Sequence, residues 1–124
     1  MALGITVVTI LDNKTVAESA SSVLAECTAV AGSALVAFGI EVLMTFHADA
    51  VLGATVKVLT SADGTNYTGI SLMEFDVAVS AGNAVRSSFN VFPGHKYYKV
   101  QVTNLDTAQD ITALSIYSEP QVLS

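Results

Sequence analysis

The 124-residue chain has no tryptophan, two prolines, a single cysteine, and only five basic residues against eleven acidic ones. Each shortage closes off a class of protein. Cys27 has no second cysteine to pair with, so nothing in the composition signals an oxidising compartment. Lys14, Lys57, Arg86, Lys96 and Lys99 are scattered under a net charge of −6 and form no cluster able to displace counterions from phosphates. Nucleic acid and anionic membrane surfaces are therefore not expected partners. Glu26, Glu41, His47 and Asp49 interrupt the apolar stretches before ~18 clean residues accumulate, so no transmembrane helix is expected. The first eight residues carry no basic region and no cleavage site precedes Asp12, so no signal peptide is expected and synthesis belongs in the cytoplasm.

What is present is apolar. Hydrophobic residues make up 52% and charged residues 13%, with a mean hydropathy of +0.57, which excludes intrinsic disorder. A mass of 12.9 kDa allows one domain. Size scaling gives it ~6,300 Å² of folded surface from ~18,700 Å² unfolded, enough for one hydrophobic core.

The periodicity is that of strands. Ile40, Val42, Met44 and Phe46 fall on one face while Glu41, Thr45 and His47 fall on the other. Phe75, Val77 and Val79 alternate with Asp76, Ala78 and Ser80, and Tyr98, Val100 and Val102 alternate with Lys99, Gln101 and Thr103. Each run has the two-residue period of a strand with one wet and one dry face. Turn signals fall at Asp49, Leu52-Gly53, Asp63-Gly64-Thr65-Asn66, Ala81-Gly82-Asn83, Pro93-Gly94 and Asn104-Leu105-Asp106. Strands are expected near 4–11, 14–19, 23–30, 35–47, 54–61, 72–79, 85–91, 96–104 and 110–117. Long strands on short turns predict an all-β fold, a single antiparallel β-sandwich of jelly-roll type with an N-terminal arm. Phe75, Val77, Phe89, Val100 and Val102 are the expected core. One stretch admits a second reading: Val16, Ala20, Val23, Cys27 and Val30 also fit an amphipathic helix, opposed by Ser19, Ser21 and Ser22 in its middle.

Residues 1–13 differ from the remainder, the sandwich domain of 14–124. Ile5 to Leu11 is apolar or Thr at every position before Asp12-Asn13 breaks it. A terminal strand apolar on both faces needs both covered, and on a sheet edge it invites another chain. Ile5, Val7, Val8, Ile10 and Leu11 are thus candidates for an intersubunit contact, with an ordinary buried strand as the equal alternative.

Chemistry is sparse. His47 and His95 stand far apart, and no metal-ligand spacing occurs, so no metal and no cofactor is expected. No Gly-x-Ser-x-Gly elbow supports a nucleophile, Cys27 reads as a small buried hydrophobe, and Glu74 with Asp76 reads as the solvated face of a strand. An enzyme is not expected. Asp63-Gly64-Thr65-Asn66 lacks the alternating acids of a calcium loop and reads as a hairpin in which Gly64 or Asn66 takes the positive φ.

The run Ala54 to Tyr67, a strand ending in Ser61-Ala62-Asp63-Gly64-Thr65-Asn66-Tyr67, resembles a turn of the small β-sandwich virion proteins of tailed bacteriophages. Phe75-Asp76-Val77, Ala81-Gly82-Asn83 and Arg86 resemble the next strand and turn. Tyr97-Tyr98-Lys99-Val100-Gln101-Val102-Thr103-Asn104 and Ile111 to Tyr117 are similar to the last two strands. The likeness covers roughly residues 14–118 and departs at Tyr67, where many such chains carry Trp. It implies a non-enzymatic structural protein of a virus particle, located in the virion. Such a protein decorates or cements a capsid or forms part of a tail, as a homo-oligomer (a trimer or ring) docked on other virion proteins. Sparse surface charge agrees with assembly contacts, which are charge-poor at their centre. The competing reading is a carbohydrate-binding module or adhesin, whose exposed aromatic patch would be Tyr67 and Tyr97.

Overall fold

A computed structural model describes residues 3–5, 8–22, 27, 30–31, 35–69, 71–91 and 97–123. The described elements are nine strands: β1 (Leu3–Ile5), β2 (Val8–Val16), β3 (Val30–Ala31), β4 (Leu35–Phe46), β5 (Ala54–Ser61), β6 (Met73–Val77), β7 (Ala84–Val91), β8 (Tyr97–Asn104) and β9 (Ile111–Leu123). They form two antiparallel sheets. In the first, β9 lies between β4 and the paired segments β1 and β2, and β7 flanks β4; the second runs β3-β8-β5-β6. This is the expected all-β sandwich. Its accessible surface, 6460 Å², matches the size scaling for a single core.

The alternation in the sequence becomes the interior. Ile40, Val42, Met44 and Phe46 of β4 face Val56 and Val58 of β5 and Val100 and Val102 of β8, all buried in one cluster with Ile111, Leu114 and Ile116. Val77 is buried too, but Phe75 and Phe89 are only half-buried, their ring centroids 4.2 Å apart. They lie on β6 and β7, the last strands of their sheets on the same side, so each has a neighbour on one flank only.

Expected and observed strands differ in several places: β2 runs from Val8 through Asp12-Asn13 to Val16 where two strands, 4–11 and 14–19, were expected, and β6 is shorter than 72–79. The stretch 16–30 is not a helix where it is described: Val16 closes β2, the chain turns at Ser19 with φ 54°, and Ser21 bridges to Thr103. Most of the expected strand 23–30 lies outside the described residues. β9 runs on to Leu123 rather than stopping at 117. Pro120, which has no N–H for a ladder, falls opposite the interval between β1, which pairs up to Gln121, and β2, which begins at Ser118. The register of β2 against β9 shifts at three points, with Asn13 at φ 49°, and that of β9 against β4 shifts beside Ala113 (φ 51°).

Candidate functional site

Four loops meet at one end of the sandwich: 17–22, 47–53, 78–83 and 105–110. Backbone bonds join them. Ser19 N donates to Asp106 O (2.9 Å), Leu105 N to Gly53 O (3.1 Å), and Phe46 N to Asn83 O (3.1 Å). Two side chains at the end of β8 organise the junction. Asn104, buried, donates from Nδ2 to the carbonyls of Val16 (3.2 Å) and Gln109 (2.8 Å) and accepts from Asp106 N through Oδ1 (3.0 Å). Asp106, 2% exposed, accepts four backbone amides: Val51 and Leu52 on Oδ2 (2.8 and 3.1 Å), Ala108 and Gln109 on Oδ1 (2.9 Å each). These bonds, that from Val51 first, hold its carboxyl low, at about 2. Gly53 is required by close approach: a Cβ there would stand 2.0 Å from Val77 O.

The same bonds fix an apolar tip. Val51 is 75% exposed, Leu52 47% and Leu105 43%, each beside or bonded to the Asp106 junction. Glu18, Asp49 and Asp110 are exposed in these loops, and no Lys or Arg occurs in any of the four segments. The result is a rigid apolar knob with an acidic rim. Glu18, His47 and Asp110 share a shallow hollow of about 300 Å³ beside it. Among the described residues no group of three or more His, Cys, Asp or Glu is placed to hold a metal ion.

Of the five candidate contact residues, two have a described burial. Ile10 and Leu11 of β2 are both 2% exposed and belong to the chain's own core. Ile5 lies in β1 opposite Gln121 and Val8 begins β2 opposite Ser118; Val7 lies outside the described residues. The expected aromatic patch sits on the outer face of the second sheet. Tyr67 and Tyr97 are both half-buried, with Lys99 Nζ 5.1 Å from the centre of the Tyr67 ring. The Tyr67 hydroxyl is buried without a hydrogen-bond partner, and its pKa is raised by that burial first, then by Cys27, Tyr97 and Asp63. Tyr97 packs against Gly64, which turns the hairpin at φ 80° as the sequence suggested. Cys27 is buried, which pushes its thiol up against the opposing pull of the Val100 backbone and Lys99. An open groove of about 490 Å³ nearby is lined by polar side chains such as Lys57, Glu74 and Gln101. His47 is exposed at the loop end; His95 lies outside the described residues.

From the sequence, Leu52-Gly53 and Asn104-Leu105-Asp106 read as plain turns, and Val51 carries no signal of its own. The available signal was an adjacent pair of large apolar residues inside a turn, where polar residues are the rule.

No protein-family model matches the chain, and no curated protein matches its sequence. Solved structures share its fold. The PBSX exported protein XepA aligns over 96% of this chain at 13% identity and a TM-score of 0.57. A chain of the Bacillus endospore appendages, a family of disulfide-linked pili, aligns over 98% at 15% identity and 0.53. A chain of the infectious bursal disease virus Gx strain aligns over 97% at 14% identity and 0.59. The chain spans 38% of the first, 89% of the second and 32% of the third.

Proposed function

We propose that this chain is a non-enzymatic structural protein of a virus particle, a capsid-decorating or cementing subunit that docks on neighbouring virion proteins. The observation that carries the reading is the apolar knob of Val51, Leu52 and Leu105, held rigid by Asp106 where a solvated loop end would expose polar residues. Its occupant is a virion protein presenting an apolar socket rimmed by Lys or Arg, because the knob's own rim is acidic and lacks cations. A rigid knob loses little entropy on docking. The strand order, β2-β9-β4-β7 facing β3-β8-β5-β6, supports a jelly-roll reading of the sandwich, an architecture of viral capsids among others. The shared fold with viral and appendage chains agrees with this and by itself shows architecture only. The residues 1–13 arm serves, on this reading, to close the first sheet along β9.

Density-gradient sedimentation of particles from cells that make the chain tests the proposal. The expected result is the chain in the particle band in a fixed ratio to the coat protein, lost on Leu52→Asp with Val51→Asp. A chain found only in the soluble fractions contradicts it.

A further inference from the structure

The free edges of the two sheets are protected unequally. β2 is broken by three register shifts and a left-handed Asn13, and carries Asp12 and Lys14. β6 is five residues long and turns Glu74 and Asp76 outward. Bulges, shortness and charge are the usual means of keeping an edge from pairing. β7 is neither bulged nor short, and Arg86 is the one charge it carries. Its eight residues pair with β4, from Phe38 opposite Val91 to Thr45 opposite Ala84, with no register shift, no proline and no bulge. Its exposed row is Ala84, Arg86, Ser88 and Asn90, and its inner row, Val85, Ser87 and Phe89, is only half-buried. Among the described residues its other flank pairs with nothing. A flat row of unpaired N–H and C=O groups recognises one chemistry, an extended strand.

We infer that the occupant of this edge is β7 of a second copy of this chain, joined antiparallel about Ser87 so that the first sheet continues across a two-fold axis. The strand is close to palindromic about that residue. Ser87 meets Ser87 of the second copy, Val85 meets Phe89, Arg86 meets Ser88 and Ala84 meets Asn90. Both half-exposed apolar residues thereby cover each other in aromatic–β-branched pairs, and no like charges stand opposite. The two Arg86 side chains stand diagonally across the axis, about 7–8 Å apart, each already paired with Glu41 of its own copy. Glu41 lies opposite Ser88 within one copy, so Arg86 of the second copy falls in line with Glu41, two strand spacings or about 10 Å away. Arg86 already bonds Glu41 diagonally within its own chain (2.6 Å), and the contact gives each carboxylate a second guanidinium. The inference rests on the reading that this chain works by assembly and names the partner at one surface.

Sedimentation equilibrium of the full chain, from about 10 μM to about 1 mM where weak association is measurable, tests it. The parent should reach a monomer–dimer equilibrium. Ser88→Lys sets a cation against Arg86 of the second copy and should weaken the dimer at least tenfold, with an unchanged circular dichroism spectrum. Ser88→Glu sets a carboxylate there instead and should tighten it. A parent that stays monomeric, or a Lys variant that dimerises as the parent does, overturns the inference. So does a Glu variant no tighter than the Lys variant. Association that survives Ser88→Lys leaves the assembly reading standing while removing β7 from it.

Discussion

Two aspartates in this molecule each collect backbone amides, one within its own hairpin and the other from loops far apart in the chain. Asp63 accepts from Thr65 and Asn66 N–H (2.8 Å each) and from the side chains of Asn66 and Ser61, never reaching beyond three residues. Asp106 takes Val51, 55 residues away, along with Leu52. Both carboxyls are held below their ordinary range by these bonds, led by Asn66 in one case and Val51 in the other. The chemistry is the same and the consequence differs. Asp63 shapes an exposed turn that its own sequence already favours. Asp106 replaces a missing connection between two loops and so sets the position of Val51, Leu52 and Leu105.

A core truncation sets the scale against which both sites are judged. Val100, fully buried between the sheets, should cost ~2–4 kcal/mol when changed to alanine, measured by denaturant unfolding. Asp106→Ala comes next. It leaves four amides without their acceptor and should lower Tm by about 5–10 °C. Hydrogen exchange at Val51 and Leu52 should rise with it. If exchange there is unchanged, the junction does not hold the knob.

Acid should separate the two sites further. A carboxyl whose folded pKa lies below its unfolded value adds stability that is whole above the unfolded value and is lost as pH falls through the folded one. For Asp106 that window runs from 3.8 down to about 2. Thermal melts across it should show a steeper loss of Tm for the parent than for Asp106→Ala; equal slopes break the assignment. The smallest effect belongs to Asp63→Ala, expected to move Tm by about 2 °C or less because every bond it loses lies in one exposed hairpin.

The same division between local and distant causes decides what the sequence disclosed. β5 and β8 were legible almost to the residue, β8 because strict alternation over eight positions has one structural meaning and β5 because turn signals at Gly53 and Asp63-Gly64 bound it. Gly64 was legible because an Asp-Gly turn demands a positive φ. The end of β2 was not. Val16, Ala20, Val23 and Cys27 carry a helical spacing, and what stops the chain after Val16 is Asn104, 88 residues away, bonding the Val16 carbonyl. Ile10 and Leu11 read as sticky because they are apolar in succession. The register shift between Thr9 and Leu11 lets both turn inward, and no period-two reading anticipates that. Phe75 and Phe89 were recognised as inward-facing, but their half-burial follows from sheet order, which alternation does not encode.

Hydroxyl-radical footprinting of the chain in the particle band and of the isolated chain tests the central claim most directly. The account predicts that Leu52 and Leu105 label readily in isolation and are protected in the particle, while the exposed Leu72, far from the Asp106 junction, labels equally in both. Equal labelling of Leu52 and Leu105 in the two states would contradict it.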